Sequence, residues 1–139
     1  MSKYLSWEEF LSEEVNGWQN STMGALFSHR QEKNRPELPL LSVTRRGGVV
    51  DRISLAKRDT SNADKSKYLR VEAGDIAYNT MRMWQGVSGS VHKEGIVSPA
   101  YTVLKPSKTI YPDFAKYLVK DELLIQVFHW VYLIYQFIQ

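Results

Sequence analysis

Between Pro39 and Pro106 turn residues cut the chain into short β-rich runs, and this punctuation constrains the fold more than any other feature. Leu38 to Thr44 and Val49 to Leu55 flank Arg45-Arg46-Gly47-Gly48, a hairpin turn whose glycines allow positive φ. Arg58 to Lys67 is polar and reads as a loop. Tyr68 to Val71 and Asp75 to Met81 meet across Ala73-Gly74, and Gly95 to Lys105 is the longest strand candidate. At least five strands are expected. Helical signals bracket them. Ser6-Trp7-Glu8-Glu9 is a capping box, followed by an apolar stripe at Trp7, Phe10, Leu11 and Val15 and a stop at Asn16-Gly17. A helical turn is expected around Thr22 to Ser28, and Pro112-Asp113 opens a helix with Phe114, Tyr117 and Leu118 on one face. The 139 residues suffice for one core. The expected fold is α+β: a single domain with a curved mixed or antiparallel β-sheet flanked by N-terminal and C-terminal helices.

From Leu123 to Ile138 thirteen of sixteen residues are apolar or aromatic. That run falls short of the ~20 residues that span a bilayer, so a buried terminal helix or an oligomer contact is expected rather than a membrane anchor. It also carries more apolar surface than one helix face can hide against a small domain, which points to a homodimer through this segment.

Charge is unevenly distributed. Met1 to Asn20 carry a net −3, whereas His29 to Arg70 hold eleven bases against five acids, a net of +6. A basic central segment suits a phosphate-facing surface, and a solvated loop fits the same charges. With no cysteine there is no disulfide framework and no thiolate metal site; with no charged-then-apolar leader at Met1 to Phe10, a cytoplasmic protein is expected. Enzyme signals are lacking. His29, His92 and His129 are far apart, Gly86, Gly89 and Gly95 are too widely spaced for a phosphate loop, and no nucleophile elbow or Walker sequence occurs. No cofactor and no catalysis are expected.

Asn79-Thr80-Met81-Arg82-Met83-Trp84-Gln85-Gly86 sets base-reading side chains among large apolar groups. A tight turn, with Asn79 and Gln85 bonded to backbone and Met81, Met83 and Trp84 in a core, accounts for it equally well. The whole stretch from Gly74 to Gly86, together with Gly95-Ile96-Val97-Ser98-Pro99-Ala100-Tyr101-Thr102-Val103-Leu104, resembles the core signature of target recognition domains in the specificity subunits of type I restriction-modification systems. Leu40 to Thr44, Gly47-Gly48-Val49-Val50 and Ser66-Lys67-Tyr68 occur in the same order, so the resemblance covers Trp18 to Lys120. It implies a non-catalytic reader of double-stranded DNA that binds one half of a bipartite target. In that family two such domains are held apart by long antiparallel helices, around which methylation and restriction subunits assemble. The domain division that follows is an N-terminal helical extension at 1–17, the recognition domain at 18–120, and an apolar helix at 121–139 in place of the spacer helix. The last segment lacks the polar, coiled-coil-like pattern of a spacer, which weakens the expectation of assembly with those subunits.

The expected DNA contacts are Arg45, Arg46, Arg52, Lys57 and Arg58 on one connected surface, with Lys65, Lys67 and Arg82 behind them. Asn79, Trp84, Gln85, Ser98, Pro99 and Tyr101 are expected to maintain the scaffold, with Trp84 and Tyr101 largely buried. Two other readings remain open. A single-stranded nucleic-acid binder would expose Tyr68, Tyr78, Trp84 and Tyr101 as stacking platforms, and an interaction subunit without DNA binding would have scattered or ion-paired arginines.

Overall fold

The structure, a computed structural model, describes residues 21–55 and 64–138. The expected capping-box helix after Ser6 lies outside them. The chain enters through a single helical turn, α1 (Met23–Leu26), where the Thr22 hydroxyl accepts the Ala25 N–H at 3.2 Å. Eight short strands follow: β1 (Phe27–His29), β2 (Leu41–Thr44), β3 (Gly48–Asp51), β4 (Leu69–Val71), β5 (Ile76–Asn79), β6 (Ser88–Ser90), β7 (Gly95–Val97) and β8 (Tyr101–Pro106). Two helices close the described chain, α2 (Pro112–Leu118) and α3 (Glu122–Ile138). Pro112 opens α2 as its position predicts, and the Asp121 carboxylate accepts the Leu124 N–H at 3.1 Å to cap α3.

The strands form an antiparallel four-stranded sheet in the order β1-β8-β5-β6 and two antiparallel pairs, β2-β3 and β4-β7. A single parallel bridge joins Leu40 to Ile96. This is the expected α+β domain with helices at both ends. The strands β1 and β6 add to the expected set, and the run from Gly95 to Lys105 is two strands rather than one. Pro99 breaks it: proline has no N–H for the ladder, and the Tyr101 N–H turns back to the Ser98 carbonyl at 3.0 Å. The second hairpin arm is also shorter than its sequence suggests, because Arg52–Leu55 forms a 3-10 turn after β3.

Alternation along the central strands splits the core in two. Ala77 of β5 and Val103 of β8 face a valine-rich layer with Leu41, Val43, Val71, Val87, Val91 and Val97, beneath the two strand pairs. Ile76, Tyr78 and Leu104 face the other way, onto Phe27, Met83, Ala115 and Val119 under the helices. Burial of both faces explains why these strands read as continuous apolar runs. The described side chains of helix α3 divide between two sides. Phe128 lies against Tyr78 with ring centroids 5.5 Å apart, while Leu123, Val127, Trp130 and Val131 stay exposed along the other side.

One buried ion pair joins the sheet edge to the loop before β5. Arg30 Nε is 2.6 Å from Asp75 Oδ2 and its NH2 is 3.2 Å from Oδ1; the two side chains are 7% and 3% exposed. Arg30 also reaches Glu32 and Glu72, and Arg70 bridges Glu32, Glu72 and Glu94. Two arginines of the basic segment are thereby committed to four carboxylates. Hydrogen bonds from Arg70 and Arg30 hold the Glu32 carboxyl below the ordinary range.

Candidate nucleic-acid interface

The β2-β3 turn is shaped by Thr44, whose hydroxyl accepts the Gly47 N–H and donates to the Gly48 carbonyl, each at 3.0 Å. Gly48 takes φ 65°, so the turn presents Arg45 and Arg46 to solvent. The hairpin crosses β6 at the closest backbone approach this fold makes to a glycine: a Cβ on Gly89 would stand 2.7 Å from Gly48 Cα and 2.9 Å from Val49 N. No residue but glycine fits there without moving the hairpin. Helix α2 packs on the same strand.

Between the hairpin and α2 lies an open cleft of about 250 Å³. Arg46, His92, Lys116, Lys120 and Tyr117 surround a floor formed at Gly47, Gly48 and Gly89, and among the described residues no carboxylate lines it. The Lys116 ammonium sits 5.1 Å from the centre of the Tyr117 ring, a cation–π distance, and 3.9 Å from the largely exposed Asp113, the outer limit of an ion pair. Such a site can hold an oxyanion. Among the described residues no group of three His, Asp or Glu side chains could hold a metal ion.

The sequence candidates divide sharply. Arg46 enters the cleft and Arg45 stands exposed at its rim turn. Arg52 is not among the described residues that line the cleft. Three residues of β3 separate it from Gly48 of the turn, about 13 Å at strand rise, and its NH1 lies 3.4 Å from Ser42 Oγ while its Nε is buried with no hydrogen-bond partner among the described residues. Arg52, in the 3-10 turn after β3, thus engages β2 at the foot of the hairpin. Lys57 and Arg58 lie outside the described residues. Lys65 stacks over Tyr68 at 4.9 Å, and Lys67 is exposed.

In the 79–86 turn, Asn79 Oδ1 accepts the Met81 N–H at 3.1 Å and Gln85 Oε1 accepts from Arg82 Nε at 3.2 Å, so both amides serve the local turn. Met83 is the residue that points inward. Trp84 is 53% exposed, which corrects the expectation of burial: in a 3-10 turn ending at Gly86 in the left-handed conformation, neighbouring side chains point to different sides, and Met83 holds the inner one. The indole rests instead against His129 of α3, ring centroids 6.2 Å apart. Tyr101 is half-buried on the valine layer with its hydroxyl 3.5 Å from Ser42 Oγ. Ser98 Oγ accepts the Ala100 N–H at 3.3 Å beside the exposed Pro99. Tyr68 and Tyr78 are buried, so they are unavailable as stacking platforms.

His92, Lys116 and Lys120 escaped the sequence reading. Lys116 and Lys120 carry a faint signal, a basic pair four residues apart beside a tyrosine, but nothing local places it opposite Arg46. Among the described residues no helix is long and apolar enough to cross a membrane. Neither the family models nor the curated proteins contain a match to the chain.

Proposed function

We propose that this protein binds double-stranded DNA without catalysis, as a target recognition domain like those of type I specificity subunits, in the cytoplasm. The observation that carries this reading is the basic cleft, whose described lining holds no carboxylate. Three separate stretches of chain, the β2-β3 turn, the residue run after β6 and the α2 segment, bring Arg46, His92, Lys116 and Lys120 to it, with Arg45 beside them. Arg30 and Arg70, by contrast, are bound to acids, whereas the described lining of this cleft brings three permanent cations together. Phosphate contacts of this kind position a domain, while base edges specify the sequence. Recognition of half a bipartite site, and assembly with methylation and restriction subunits, extend the proposal as the resemblance suggests. The exposed side of α3 is the surface offered for self-association.

Selection of bound duplexes from a randomised pool tests the reading. An enriched motif is expected, each mismatched base pair costing about 1–3 kcal/mol. Retention of no duplex at low salt, or retention independent of salt, refutes it.

A further inference from the structure

We infer that the cleft between the β2-β3 turn and α2 seats one backbone phosphate of duplex DNA, gripped by Arg46 from one wall and by Lys116 and Lys120 from the other. This rests on the DNA-binding reading and assigns the cleft a single task within it: anchoring, not reading.

The ligand class follows from charge. Three permanent cations share one cleft; among the described residues no carboxylate lines it, and the exposed Asp113 reaches Lys116 only at 3.9 Å, so their mutual repulsion is little offset. Three cations elsewhere are paired instead, Lys93 with Asp51 at 2.7 Å and Arg30 and Arg70 within a ring of four carboxylates. An entering anion turns the repulsion among Arg46, Lys116 and Lys120 into attraction. Phosphate suits the donor set, since the guanidinium offers a planar fork and the two ammonium groups act as mobile point charges. At about 250 Å³ the cleft has room for a phosphate and several waters, each occupying about 30 Å³.

The same features favour a polymer over a free ion. An open, solvent-filled cleft screens its charges, so one phosphate binds weakly alone and usefully only as one contact among several. Arg45, exposed on the same turn, extends the basic surface beyond the cleft. The glycine crossing at Gly48 and Gly89 seats the Arg46 wall directly on the floor strand β6, because no side chain separates the two.

The test compares the full chain with Lys116→Gln/Lys120→Gln, using selected duplexes and inorganic phosphate as separate probes. The variant is expected to keep the wild-type unfolding transition and the same enriched motif, and to bind every duplex more weakly by a common factor. Its salt slope falls by about one, so between 50 and 200 mM salt the wild type loses about 3.5-fold more affinity than the variant. Millimolar inorganic phosphate should move the amide resonances of Gly47 and Gly48 in the wild type and not in the variant. Arg46→Gln, on the opposite wall, must by itself produce the same change of slope. Equal affinity and slope in both variants, with wild-type DNA binding intact, overturn the seat but leave the DNA reading standing. A changed motif overturns it too, because the cleft then reads bases. Phosphate binding without duplex binding overturns both, and identifies a free-anion site.

Discussion

Replacing Asp75 with alanine strips the bidentate partner from an arginine whose side chain is 7% exposed. Breaking a buried pair from one side costs about 3–5 kcal/mol, because the other charge remains desolvated. Glu32 at 2.7 Å and Glu72 at 3.0 Å still face the guanidinium and pull the cost toward the lower end. The Glu72 N–H, which Asp75 Oδ2 accepts at 2.9 Å, then loses its acceptor, worth about 1 kcal/mol. The expected loss is therefore about 4 kcal/mol, a drop in Tm of roughly 15 °C for a domain of this size. Urea unfolding followed by tryptophan fluorescence, with a thermal scan alongside, measures both. Arg30→Ala/Asp75→Ala should cost little more than either single change, since each single change already forfeits the pair. A loss below about 1 kcal/mol for Asp75→Ala, or simple additivity in the double variant, refutes the assignment of this pair as the tie between β1 and the β5 entry.

Gly89→Ala sets a methyl against the backbone of Gly48 and Val49, which cannot swing aside as a side chain does; a loss of about 1–3 kcal/mol and weakened duplex binding are expected, checked by unfolding and by a binding isotherm. Trp84→Ala should cost about 1–2 kcal/mol, against about 3–5 for a buried aromatic, since only half of the indole is covered; a thermal scan distinguishes the two. Acid titration should expose Glu32. Its folded pKa lies below its ordinary value of 4.5, so the unfolded chain binds more protons between the two values, and the stability it contributes is complete above pH 4.5 and falls as pH drops through the folded value. Glu32→Gln should flatten the stability curve in that acid window, and superimposable curves for the two proteins would exclude the Arg70 and Arg30 contacts as its source. If the exposed side of α3 is an interface, sedimentation should show concentration-dependent association that Val127→Glu/Trp130→Glu abolishes; a monomer at all concentrations removes that role.

Local chemistry made much of the fold legible from the residues alone. The Arg45–Gly48 turn, the start of α2 at Pro112 and the inward turn of Asn79 each depend on a proline, a glycine or a short polar side chain acting on its own backbone. The exposed tip arginines follow from the hairpin register itself. Other elements exist only through their neighbours. Phe27–His29 and Ser88–Ser90 are too short to display alternation, and Ser-Gly-Ser has no strand propensity; β8 and β5 supply the ladders that make them strands. Trp84 faced outward because a tight turn offers one inner position and Met83 occupies it, a competition that hydrophobicity alone does not resolve.

Sequence thus determined the class of the domain, its main hairpin and the basic character of its centre, because periodicity, turn residues and charge act over a few residues. Tertiary structure decided which charges are available. Arg30 met Asp75 across 45 residues and was spent on the fold, while Arg46 came to line one cleft with Lys116 and Lys120, where no described residue brings a carboxylate. Charge lies in the residue, but its use depends on whether folding brings an acid or open solvent to face it.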